Sequence, residues 1–217
     1  MSVDKNAKVE FPENGLALRE TMRDLPRPKQ ARALDKWRHN FDQVWITTDE
    51  ASAFLPTEVK LDAEIEIDEP ILNRLGRFHF VDHVRGSATA WDKDDIKSGT
   101  LKSRITKIND SEIHLELSGA IKISQKPSGK INPFLKRRIT KDRGLDLSIA
   151  GRLIYDRKSE SFKRFDIAAF GDRWGTDVYN HRHNDMGPDP IGFAFSLDTS
   201  KSAKERTPLF ARRGDYL

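Results

Sequence analysis

The chain has 217 residues, of which 36% are hydrophobic and 33% charged, with a mean hydropathy of −0.68. This suits one domain with a modest core and a heavily charged surface. There is no cysteine, which excludes disulfides, zinc–thiolate sites and thiol chemistry. No stretch reaches the roughly 18 apolar residues of a membrane-spanning helix, and Met1 to Glu10 lack the apolar run of a signal peptide. These features suit a cytoplasmic protein, or one exported with its leader absent from this chain.

The net charge of +4 is unevenly placed. Between Lys122 and Arg143 eight basic residues face Asp142 alone, so this segment carries +7 and the remainder −3.

Residues 1–27 lack periodicity, are punctuated by Pro12 and Pro26, and read as an irregular N-terminal arm. From Lys29 to about Asn40, Ala33, Leu34 and Trp37 fall on one helical stripe. Thr47 and Glu50 form a capping-box pattern, predicting a short helix before Pro56. Val59, Leu61, Ala63, Ile65 and Ile67 alternate with polar residues and predict a strand with an acidic outer face. Asp68 and Pro70 then start a helix running to about Asp82, despite the cost of Gly76.

Past a loop containing Trp91, strands are predicted at about 100–108, 112–124, 145–155, 162–171 and 191–197. In three of these the same figure recurs. Ile113, Leu115 and Leu117 run into Gly119; Leu145, Leu147 and Ile149 into Gly151; Phe165, Ile167 and Ala169 into Gly171. Alternation marks strands with one buried face, and the repeated glycine predicts a shared bend. The basic segment 125–143 reads as a solvated insertion, residues 179–190 as a loop, and residues 199–217 as a polar tail.

The densest polar-aromatic cluster is Arg77 to Gly86. On a continuous helix His79, Asp82 and His83 would share one face. Two imidazoles and a carboxylate suggest a divalent metal, with His181 and His183 as a second source of ligands. The structural alternative is a buried hydrogen bond between His79 and Asp82 with His83 exposed, and on this reading no metal is expected. Asp82 and Arg85 are spaced for a salt bridge pinning the helix to the sheet. No RNA-binding pattern accompanies the basic segment, so nucleic acid is not the expected partner. No P-loop, dinucleotide fingerprint or nucleophile elbow is present.

The run Arg77-Phe78-His79, Val81-Asp82, Arg85-Gly86 and Trp91, with Gly151, Tyr155-Asp156, Arg164-Phe165-Asp166 and Gly171, resembles an uncharacterised family of bacterial proteins. The resemblance covers roughly residues 45–197 and implies no activity. In plan alone, the strands with matched glycines are similar to lipocalins and to the half-barrels of lipoprotein carriers, which does not fix a function.

The sequence thus predicts an α+β fold. A curved, half-barrel-like antiparallel sheet of about six strands would carry N-terminal helices on one face. Residues 28–198 would form one domain between the arm and the tail. The predicted function is a non-catalytic module binding an apolar or amphipathic ligand, with an anionic head, or a protein partner. The ligand would lie on the concave face near Phe165, Ile167 and Phe193, with His79, Asp82, Arg85 and Trp91 as contacts. No catalytic residue and no cofactor is assigned. The alternatives are a metal-assisted hydrolase using His79, His83, His181 and His183, and a purely structural domain.

Overall fold

The computed structural model describes residues 10–26, 39–126, 131–132, 137–138 and 142–217. Most of the helix expected from Lys29 to about Asn40, including Trp37, lies outside these, as does most of the basic insertion, and its last two residues, His39 and Asn40, belong to a strand. Eight strands form one antiparallel sheet: β1 (Leu16–Asp24), β2 (His39–Ile46), β3 (Glu64–Glu66), β4 (Ile96–Ile108), β5 (Glu112–Gln125), β8 (Arg143–Asp156), β9 (Ser161–Trp174) and β10 (Asp189–Leu197). Their order is β2-β1-β10-β9-β8-β5-β4-β3, open at both edges. Two further strands, β6 (Ile131–Asn132) and β7 (Arg137–Arg138), pair with each other.

Strands β4, β5, β8, β9 and β10 form where the sequence predicts strands, each somewhat longer than expected. Other expectations are corrected. The protein is β-rich, with eight strands in the sheet where six were expected, and its described N-terminal region supplies strands. The supposed arm forms β1, the link between β2 and β10. The predicted strand 59–67 shrinks to Glu64–Glu66 because Asp62 adopts a left-handed φ of 63° and breaks the extended run. Val59 and Leu61 are exposed. The polar tail is not all solvent-facing, since Tyr216 is buried.

Among the described residues two α-helices pack on the sheet. Helix α1 (Thr48–Ser52) has the predicted capping box: the Glu50 backbone N–H donates to Thr47 Oγ1 at 3.2 Å and the Thr47 N–H to Glu50 Oε2 at 2.9 Å. Helix α2 (Glu69–Phe78) begins beside Pro70 and buries Ile71, Leu72 and Leu75 over β4 and β5. Gly76 lets it sit close. A Cβ there would lie 2.7 Å from Ile121 Cδ1 and 3.0 Å from Ile96 Cδ1. The propensity cost of this glycine is exchanged for helix–sheet proximity.

Helix α2 stops at Phe78, four residues before the predicted end. The N–H groups of His79 and Phe80 both donate to the Leu75 carbonyl at 2.9 Å, closing the last turn. Beyond it Phe80, Val81 and Val84 are buried, so tertiary contact wins over continued helix. Phe80 meets Phe193 and Phe195 edge-on at 5.6 and 5.7 Å, and Phe54 meets Phe165 at 5.0 Å. The inner-face residues expected to line a ligand pocket, Phe165, Ile167 and Phe193, are therefore core. One helix is too narrow to cover that face, and the irregular segment 79–91 extends the cover to β10.

Gly119, Gly151 and Gly171 share the inner face. They stand opposite Leu101 and Ile149, Leu117 and Ile167, and Leu147 and Ile191 respectively. They do not form a single line: Gly151 is offset by two residues from the position paired with Gly119, and Gly171 by four from the position paired with Gly151.

Candidate functional site

The segment from His79 to Trp91 carries every predicted contact residue, and each engages a partner within the chain. The shared helical face of His79, Asp82 and His83 does not form, because the helix has already ended. Asp82 receives the Arg182 guanidinium on both oxygens, from Nε at 2.8 Å and Nη2 at 2.9 Å. Arg85 does not pair with Asp82. It donates to Asp24 at 2.8–3.0 Å and lies 2.7 Å from Asp185. Trp91 donates its indole N–H to the Phe80 carbonyl at 2.7 Å, and the Arg143 guanidinium lies 4.1 Å from its ring centroid. Trp91 is 2% exposed, so it is not a rim residue.

Three buried polar groupings result. The first centres on Arg182, which is 0% exposed and also donates to both Asp24 oxygens, at 2.6 and 2.9 Å. Burial pushes the Asp24 carboxyl up, but Arg182 and Arg85 outweigh it and hold it below the ordinary value. Burial likewise opposes the charge of Arg182, yet its carboxylate partners hold the guanidinium firmly protonated. The second grouping is Arg143, the last residue of the basic segment, which donates to Asp177 at 2.7 Å and to Thr89 Oγ1 at 2.8 Å.

The third joins Glu20, His79 and Tyr216. His79 Nδ1 lies 3.1 Å from Glu20 Oε2 and Nε2 lies 2.9 Å from Tyr216 Oη. Tyr216 Oη in turn accepts the Trp45 N–H at 3.3 Å. The expected His79–Asp82 bond is thus replaced by partners from β1 and the tail. Complete burial raises the Glu20 carboxyl well above its usual range and lowers the His79 imidazole well below its own. Beside them Asp42 is pushed up to about 6, chiefly by burial. One ligating atom from each of Glu20, Asp42 and His79 lies within 4.8 Å of the others, the only such group among the described residues. His83 is buried, not exposed, and His181 and His183 lie at the surface outside this group.

Two open spaces border these groupings. A groove of about 510 Å³ lies between α2 and the C-terminal residues, walled by Pro70, Ile71, Asn73, Lys93, Tyr216 and Leu217. Arg74 and Arg77 flank it, held at 2.7 Å by Glu50 and Asp215. A smaller cavity of about 230 Å³ is lined by Asp42, His83, Asn40 and Leu209 among others.

Sequence reasoning missed Glu20, Asp24, Arg182 and Tyr216. A signal for the first two does exist. Leu18, Glu20, Met22 and Asp24 alternate with outward residues, so both acids sit on the buried face of a strand. No local pattern announces Arg182 in its polar loop or Tyr216 in its polar tail.

No family model, no curated protein and no solved structure matches the chain.

Proposed function

We propose that this protein is a non-catalytic binding module whose ligand is an amphipathic small molecule with an anionic head. The binding place is the groove between α2 and the C-terminal residues, not the inner face of the sheet. The observation that carries the reading is the groove itself. Its volume of about 510 Å³ falls within the usual range for small-molecule sites. Pro70, Ile71 and Leu217 give it an apolar wall.

Charge selects the head group. Glu50 pairs with Arg74, Asp215 with Arg77, and the Glu69 carboxylate takes the Asn73 amide. Lys93 is the cation of this wall without a hydrogen-bond or ion-pair partner among the described residues. Arg74 also keeps one buried N–H group, at Nη1, unpartnered. An anionic head beside Lys93 would complete the charge balance while the tail lies along the apolar wall.

The test is displacement of a fluorescent fatty-acid analogue by dodecanoate. Lys93→Glu is expected to weaken dodecanoate at least tenfold while leaving dodecanol unchanged. Asn73→Trp, which fills the groove, is expected to abolish both. No dye binding by the unsubstituted chain, or unchanged binding in Asn73→Trp, would refute the assignment.

A further inference from the structure

We propose that Glu20, Asp42 and His79 bind a divalent transition-metal cation, of the zinc or manganese class, at the β1–β2 end of the sheet. This site is distinct from the groove and does not depend on it.

The register of the sheet creates the pairing. Glu20 on β1 stands directly opposite Asp42 on β2. Two facing carboxylates repel each other across an antiparallel pair unless a proton or a cation lies between them. At the end of α2, His79 directs its imidazole to the same place, with Nδ1 3.1 Å from Glu20 Oε2. The three ligating atoms lie within 4.8 Å of one another, close enough to converge on one ion after small side-chain adjustments.

Unsatisfied polar atoms mark the same place. Glu20 is 0% exposed, yet its Oε1 has no hydrogen-bond partner. His83, 3% exposed, lines the adjoining 230 Å³ cavity with Nε2 also unpartnered. Buried polar atoms without partners are costly, and a cation with its bound water would satisfy both kinds. Asp42 lines that cavity as well, so the third ligand borders space in which water can complete the coordination.

Outer partners already orient the ligands. Tyr216 Oη lies 2.9 Å from His79 Nε2 and can accept its proton once Nδ1 faces the metal. Asp42 Oδ1 accepts the N–H groups of Gln43 at 2.8 Å and Leu209 at 3.0 Å. One imidazole with two carboxylates favours zinc or manganese over magnesium or calcium, which take oxygen ligands alone.

The test uses the full chain, stripped with a chelator and titrated with zinc, manganese, magnesium or calcium chloride. Zinc or manganese is expected to bind at one ion per chain and raise Tm by roughly 5–10 °C at a hundredfold excess over Kd. Magnesium and calcium should give no shift. Asp42→Asn and His79→Gln should each weaken binding at least tenfold, while His181→Gln should not. Because His79→Gln risks misfolding, side-chain ¹⁵N spectra of the unsubstituted chain provide the second readout, in which zinc must move the His79 imidazole signals. The proposal is overturned by no binding, by binding that survives in both ligand variants, or by shifts confined to His181 and His183.

Discussion

Arg182 and Asp82, a hundred residues apart in sequence, meet in a two-pronged ion pair with N···O distances of 2.8 and 2.9 Å. Arg182 also reaches Asp24 on β1, so one side chain ties the 179–190 loop, the segment after α2 and the first strand together. Replacing it by leucine would strand two buried carboxylates. Arg182→Leu should lose about 3–5 kcal/mol in urea unfolding. Arg182→Lys keeps the charge without the fork and should fall between the two. Unchanged unfolding of Arg182→Leu would mean that this network is not structural.

The contribution of His83 to stability should fall as pH drops from 6.5 to 4. Burial holds the His83 imidazole down to about 4, whereas an unfolded histidine titrates near 6.5. Between these values the unfolded state binds a proton that the folded state refuses, which costs up to about 3 kcal/mol by pH 4. Below pH 4 the depressed Asp24 adds a further loss as its ion pairs are protonated. Glu20 and Asp42, whose carboxyls are raised, act in the opposite sense and gain stability as pH falls towards their unfolded values, whereas His79, whose imidazole is lowered, adds to the loss. Melting curves of His83→Gln across this range should be flatter than those of the parent.

At Gly171 a Cβ would sit 1.9 Å from the Asp146 carbonyl oxygen on the neighbouring strand. Backbone cannot yield as a flexible side chain does, so Gly171→Ala should cost about 1–3 kcal/mol. Gly192→Ala is the control. Its nearest neighbour would be a Leu25 methyl at 3.1 Å, and its cost should stay below about 1 kcal/mol. Equal melting temperatures for the two variants would refute the close approach of β8 and β9.

Tyr216→Phe keeps the buried ring and removes one oxygen. His79 Nε2 and the Trp45 N–H then lose their common partner. The expected loss is about 1–3 kcal/mol. It should come with faster hydrogen exchange at Trp45, on the edge strand β2, and little change at the β5–β8 pairing. Uniform destabilisation without that local signature would argue against Tyr216 as the fastening of the edge.

What the sequence reveals follows from where its signals are local. Strands β5, β8 and β9 are legible because Leu115, Leu147 and Ile167 recur at every second place and the outer face is polar. In β1 the same period is present but two inner positions hold Glu20 and Asp24, which hides the buried face from any hydrophobicity count. At the end of β2, Val44, Trp45 and Ile46 are all buried, so no alternation remains. Val59 and Leu61 keep perfect alternation, yet Asp62 turns the chain and leaves them outside the sheet. At the site, the crowding of His79, Asp82, Arg85 and Trp91 was legible, but their partners were not. Asp24, Glu20, Arg182 and Tyr216 reach them across most of the chain, a relationship that periodicity cannot encode.

The place of β1 between β2 and β10 carries a consequence for how the chain is made. Strands β1 and β2 are synthesised before the other strands of the sheet, but the neighbour that covers the other edge of β1 is the last of the described strands to follow. Until Ile191 to Leu197 arrive, β1 presents an unpaired row of amides beside buried-type acids. Pairing of such distant segments is slow, and an open strand edge invites association with other chains. The acids on its inward face oppose that fate, since two copies meeting there would bring Glu20 and Asp24 against like charges. The residues that join the finished sheet to its cover would then also guard the nascent one.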